Sequence, residues 1–147
     1  MGMSTLLAVD IGNSHIVLGL YRGAELVRTW RVATDTRRTV DEYATLIDML
    51  FARSGCARQE VEGVGISNVV PPLQETFERV SRHLFGVEPW TVRATAPNLG
   101  LRIRVDYPAE VGADRLANAA AAHHRYGGPV IVVDLGTATT FDVVSAE

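Results

Sequence analysis

The sequence predicts an α/β fold built from two similar halves, the second unfinished, and three observations carry that expectation. The residues near the end, VIVVDLGTATTFDVV, repeat the order of the opening LLAVDIGNSHIVLGL: an apolar run, Asp, an apolar residue, Gly, small polar residues and a second apolar run. The first 33 residues hold three apolar segments separated by short turns, and from Thr39 onward the apolar spacing alternates between helical and strand periods. At 147 residues with 47% hydrophobic and 21% charged side chains, the chain has the composition of a core-forming globular protein.

In order, Leu6 to Asp10, Ile16 to Tyr21 and Leu26 to Ala33 read as antiparallel strands, joined at Gly12-Asn13 and Arg22-Gly23-Ala24. From Thr39 to Phe51, Val40, Tyr43, Ala44, Ile47, Leu50 and Phe51 fall at helical spacing, and Thr39 with Glu42 forms a capping-box pattern. This helix is expected to end near Ser54-Gly55. Val61 to Ser67 reads as a strand containing glycine, and Pro71-Pro72 starts a helix running to about Leu84. Glu88 to Val92 and Leu101 to Val105 read as short strands, and Val111 to Tyr126 is an Ala-rich helix closed by Gly127-Gly128. Val130 to Asp134 then opens the second hairpin.

Composition narrows the function. A net charge of -3 gives no overall pull toward nucleic acid or an anionic membrane, and no apolar run approaches the length of a membrane span. Neither partner is expected. A single cysteine, Cys56, allows no internal disulfide and fits a cytoplasmic protein; it reads as a loop residue after a helix. All 14 basic residues are Arg, which excludes a Walker-type lysine and Schiff-base chemistry within this chain.

The repeated turn carries chemistry. A carboxylate at a strand end, followed at once by Gly, sets a negative charge beside backbone N–H groups that no bulky side chain shields. Amides and the hydroxyls of Ser14 or Thr137 suit phosphate oxygens, while Asp10 or Asp134 suits a hard cation. One copy of Asp-x-Gly alone reads as an ordinary hairpin turn; recurrence with the same polar follow-up favours a nucleotide phosphate site. Asp114, in the first turn of the Val111 to Tyr126 helix, is favoured there by the helix dipole and can orient a hydroxyl nucleophile. Gly112 leaves room for a substrate, and Arg115 can pair a carboxylate, which together suggest a small hydroxy acid. Taken alone, Asp114 reads first as a helix-start carboxylate paired with Arg115 on the surface. His123-His124 reads as solvated or partner-facing, Arg37-Arg38 as a solvated loop, and Trp30 and Trp90 as core or edge aromatics.

The segments DIGNSH, TRRTVDEYATL, ISNVVPPL, EVGADRLANA and DLGTATT, in this order, resemble the type III pantothenate kinases of the actin-like ATPase and acetate/sugar kinase superfamily. The resemblance implies a ribonuclease H-like first domain over 1–110, a connecting helix over 111–128, and the start of a second such domain over 129–147. It implies ATP-dependent phosphorylation of pantothenate to 4'-phosphopantothenate, the first step of coenzyme A biosynthesis, with Mg²⁺, a monovalent cation (K⁺ or NH₄⁺) and a homodimer. By motif, Asp10, Ile11, Gly12, Asn13, Ser14, His15, Ile16 and Val17 would contact ATP, with Asp10 near the Mg²⁺. Gly112, Ala113, Asp114 and Arg115 would hold pantothenate, with Asp114 as the base; Asp134 would bind the monovalent cation and Thr137 would touch ATP. Many members carry Tyr where Val105 stands, with Tyr107 two positions on, and Asn-Pro-Arg where Tyr107-Pro108-Ala109 stands. Members also continue well past residue 147, so the isolated chain is expected to have little or no activity. The rival readings are another small-molecule kinase of the superfamily and a nucleotide-binding accessory factor without turnover.

Overall fold

A computed structural model of the protein describes residues 4–96, 99–136 and 138–146, which pack as two compact units divided between Thr91 and Val92. The first unit is a five-stranded mixed sheet in the order β3-β2-β1-β4-β5, with β1 at Thr5–Ile11, β2 at His15–Arg22, β3 at Glu25–Ala33, β4 at Gly63–Asn68 and β5 at Trp90–Thr91. The opening three strands are antiparallel as the sequence predicts, and β4 lies parallel to β1. Alternation sets the inner face. Leu7, Val9 and Ile11 of β1 and Ile16, Leu18 and Leu20 of β2 are buried, while Leu6, Ala8 and Asp10 face out.

Helices α1 (Val40–Arg53) and α2 (Gln74–Phe85) cover that face with Tyr43, Ile47, Phe51, Phe77 and Val80. Trp30 stacks on Phe51 with ring centroids 4.9 Å apart and donates its indole N–H to Ser54 Oγ at 2.9 Å, so it is a core-edge residue, whereas Trp90 is exposed on the edge strand. Cys56 follows α1 in a loop and packs against the same core. Pro71-Pro72 forms a 3-10 turn that leads into α2.

The expected capping box is present: the Glu42 N–H donates to Thr39 Oγ1 at 3.3 Å and the Thr39 N–H donates to the Glu42 carboxylate at 2.7 Å. That backbone donor, aided by the Thr39 hydroxyl, holds the Glu42 carboxyl below its usual range. A folded-state pKa lowered in this way contributes stability that is fully present above the ordinary Glu range and is lost as pH falls from there through the lowered folded-state value. Thr39→Ala is expected to cost about 1 kcal/mol at neutral pH in urea unfolding. The part of that cost carried by the Thr39 hydroxyl's bond to the Glu42 carboxylate should fade below about pH 4, where an unfolded Glu protonates, while the part carried by the Glu42 N–H remains; a cost with no pH dependence would rule out the hydroxyl–carboxylate bond as a contributor.

The second unit holds α3 (Ala113–Tyr126) and the hairpin of β6 (Val130–Leu135) and β7 (Thr139–Val144). Its core is small: Val92, Ala113 and Leu116, with Leu99, Ile103 and Val111 packed against them. Two sequence expectations change here. Glu88 to Val92 shortens to β5, because Val92 turns into this second core and stops pairing with β4 after two residues. Leu101 to Val105 is not a strand. Leu101 and Ile103 turn partly inward and Arg102 and Arg104 outward, as alternation predicts, but the backbone has no ladder partner among the described residues.

The repeat is structural as well as sequential, with one slip. Asp10 pairs with Val17 across the first hairpin and Asp134 pairs with Thr140 across the second, so the second turn is one residue shorter. In register, Leu18, Gly19 and Leu20 therefore correspond to Phe141, Asp142 and Val143. Burial is reversed between the copies. Leu7, Val9 and Ile11 are at most 4% exposed, whereas their counterparts Ile131, Val133 and Leu135 are 49–80% exposed. In the second copy α3 packs on β6 and β7, where the half-buried Val132, Asp134, Asp142 and Val144 lie.

Candidate active site

In the first unit the candidate site is the turn that follows Asp10. Gly12 N–H donates to His15 O at 3.0 Å, and a Cβ at Gly12 would meet that oxygen at 3.1 Å, so the tight turn favours glycine. Asn13, Ser14 and His15 are exposed at its tip. Ile11 and Ile16 are wholly buried, which leaves only their backbone for any ligand, while Val17 is half-buried opposite Asp10.

Sequence reasoning missed what holds this turn. Thr34, just past β3, donates its hydroxyl to Gly12 O at 2.6 Å and its N–H to Ser14 O at 3.0 Å. A Thr at a strand end has no sequence signal that distinguishes it from any β-former. Ser67 sits beside Asp10 in the parallel register, its hydroxyl buried and without a hydrogen-bond partner among the described residues. Next to it, Asn68 accepts from Val70 N–H at 2.7 Å and donates to Gln74 at 3.0 Å, tying β4 to α2. Arg37 pairs with Asp35 at 3.1 Å, holding that carboxyl below its usual range, and Arg38 lies over the Tyr43 ring.

In the second unit, Gly112 is the N-cap of α3, whose first turns cross the β6–β7 hairpin. Asp114 accepts from the Arg115 N–H at 2.8 Å. The Arg115 guanidinium reaches β7, where Nε donates to Asp142 Oδ1 at 2.7 Å, and this bond raises its already high pKa. One turn beyond Asp114, Asn118 donates to Asp134 on β6 at 3.4 Å. Thr140 lies directly across from Asp134, with its hydroxyl buried and unpartnered among the described residues. Gly136 N–H donates to Ala138 O at 3.2 Å, the counterpart of the Gly12 bond. Thr137, expected to touch ATP, lies outside the described residues.

Beside α3 runs an open trough of about 1290 Å³ whose walls include Val105, Tyr107, Glu110, Arg115, His123 and Asp142. Asp114 and Asp134 are not part of its walls. Val105 and Tyr107, where the sequence departs from the usual pattern, both face this space; His123 is half-buried in its wall and His124 is exposed. Among the described residues, no cluster of three His, Cys, Asp or Glu side chains is placed to hold a metal, and no helix is long and apolar enough to cross a membrane.

Comparison with known proteins agrees with this layout. The family model for type III pantothenate kinase matches residues 6–147. A type III pantothenate kinase from Roseiflexus sp. (strain RS-1) is 52% identical over 142 residues, 97% of this chain and 55% of the relative. One from Geobacter sulfurreducens is 49% identical, with the same two coverages. The chain thus spans about half the length of the curated relatives it matches. Among solved structures, an ROK hexokinase from Thermus thermophilus superposes with a TM-score of 0.51 at 14% identity, covering 97% of this chain and 47% of that one, and this likeness concerns the fold alone. The α/β fold with a mixed sheet is the actin-like ATPase fold expected from the sequence. With a family match that runs from Leu6 to the last residue, the chain belongs to the type III pantothenate kinase family.

Proposed function

We propose that this chain is part of an enzyme that transfers the γ-phosphoryl group of ATP to the primary hydroxyl of pantothenate, giving 4'-phosphopantothenate and ADP. The observation that carries this reading is the seating of α3 on the second acidic hairpin. The helix turn bearing Asp114 and Arg115 lies one turn from Asn118, which meets Asp134. Asp114 takes the hydroxyl proton as the oxygen attacks phosphorus; the new O–P bond forms as the bond from phosphorus to the β–γ bridging oxygen breaks, and ADP leaves. Arg115 holds the pantothenate carboxylate by a charge-assisted hydrogen bond.

With the Gly12 N–H bound to His15 O, the tip at Asn13 and Ser14 supplies the backbone N–H groups and the Ser14 hydroxyl for ATP phosphates, and Thr34 keeps that turn fixed. A hard cation fits both acidic turns, because the donors at hand are oxygens: Asp10 beside the Ser67 hydroxyl, and Asp134 opposite the Thr140 hydroxyl, unpartnered among the described residues. We assign Mg²⁺ with ATP to Asp10 and a monovalent cation, K⁺ or NH₄⁺, to Asp134; bound there, they would neutralise phosphate charge. Ile11, Asn13, Ile16 and Val17 complete the ATP-contacting segment, with Thr137 from the second turn, and Gly112 and Ala113 the pantothenate-contacting one. The reading keeps 1–110 as the first lobe, 111–128 as the connecting helix and 129–147 as the opening of the second, and it implies a cytoplasmic homodimer.

The test is ADP release by the protein at the full length of its relatives, with and without pantothenate. Pantothenate should stimulate ADP release with stoichiometric formation of phosphopantothenate. Equal ADP release without pantothenate would contradict the assignment, and stimulation by a different hydroxylated substrate would favour another kinase of the superfamily.

A further inference from the structure

Arg115 and Asp142 each stand where local physics disfavours them. Arg115 lies in the first turn of α3, where the positive end of the helix dipole opposes a cation. Asp142 is in the middle of β7, with a side chain only 12% exposed, and Asp is a poor strand former. They answer one another. Nε of Arg115 donates to Asp142 Oδ1 at 2.7 Å, Nη2 lies 2.5 Å from the same oxygen, and Nη2 also reaches the Phe141 carbonyl at 3.4 Å.

The hairpin does not need this carboxylate to form, because the same register position in the first hairpin is Gly19, paired with Ala8 as Asp142 is paired with Val132. The pair also spends the guanidinium unevenly. Nε and Nη2 are engaged with β7, whereas Nη1 makes no hydrogen bond among the described residues, and Arg115 stands 39% exposed in the trough wall. A planar guanidinium held along one edge presents its remaining donors in a fixed direction.

We propose that Asp142 is a positioning residue: it grips Arg115 by its Nε edge and so keeps the Nη1 side set for the carboxylate of the substrate in the trough. This rests on the pantothenate reading, and it adds a residue from the second strand of the repeat to that site.

The experiment compares wild type, Asp142→Ala and Asp142→Asn at the full length of the relatives, with two readouts. In steady-state kinetics, Asp142→Ala should raise the KM for pantothenate about tenfold or more, with kcat and the KM for ATP changed less than about threefold. Asp142→Asn, which keeps an oxygen acceptor and loses the charge, should lie between. In nitrogen-15 NMR, the Arg115 Nε–H should exchange slowly with water in the wild type and much faster in Asp142→Ala. An unchanged pantothenate KM in both variants would overturn the proposal. So would KM values for both substrates rising together with a fall in Tm, the pattern of a pair that only holds α3 to β7. If Asp142→Ala does not accumulate as folded protein, Asp142→Asn alone decides on the same criteria. If the wild type shows no pantothenate-dependent turnover, the functional reading fails separately, and the Nε–H exchange still decides whether Asp142 holds Arg115.

Discussion

Asp114→Asn, made at the full length of the relatives, is expected to lower kcat for pantothenate phosphorylation by about 10²–10⁴-fold, the usual worth of a positioned general base. Asn keeps the size of Asp and an oxygen that can still accept the Arg115 N–H, so the start of α3 should stay intact. It cannot take up the hydroxyl proton. The KM for ATP should change little, because the groups assigned to the nucleotide are Asp10, the turn that follows it and Thr137, and Asp114 is not among them. Wild-type turnover in this variant would remove Asp114 from the chemistry and leave it the helix-start carboxylate that its position alone suggests.

Phe51→Ala should have the largest effect on stability, about 3–5 kcal/mol, from lost burial and the cavity left behind. Phe51 is 1% exposed and joins two elements of the first unit: its ring lies 4.9 Å from Trp30 on β3 and 5.6 Å from Phe85 on α2. Against a typical domain stability of about 5–15 kcal/mol, that loss leaves little margin. Urea unfolding followed by tryptophan fluorescence should show a much lower midpoint. A loss under about 1 kcal/mol would mean that the helices close over the gap, against the close packing that protein cores show.

The first hairpin, α1 with its capping box and the acidic turns were legible in the sequence because each is set by residues within a few positions of one another. Asp10, Gly12 and Ser14 announce a turn and its donors in five residues. Thr34 was not legible, since its bond to Gly12 spans 22 positions and depends on β3 lying beside β2. The Arg115–Asp142 pair spans 27 positions and required the register of a hairpin whose turn is one residue shorter than its copy. Leu101 to Val105 shows the opposite failure: its alternation is that of a strand, but a strand needs a neighbour, and that cannot be read from the segment itself. The different burial of the two hairpins has the same origin. Leu7 and Ile131 are equally apolar, and only the helices packed on β1 bury the former.

The central claim, that the turn after Asp10 is where the charged end of ATP is held with its Mg²⁺, is tested most directly by calorimetric titration of ATP into the protein at the full length of its relatives. Wild type should bind ATP in a Mg²⁺-dependent manner, and Asp10→Asn should bind about tenfold or more weakly, with little response to added Mg²⁺. Equal affinity and equal Mg²⁺ dependence in the two proteins would contradict it.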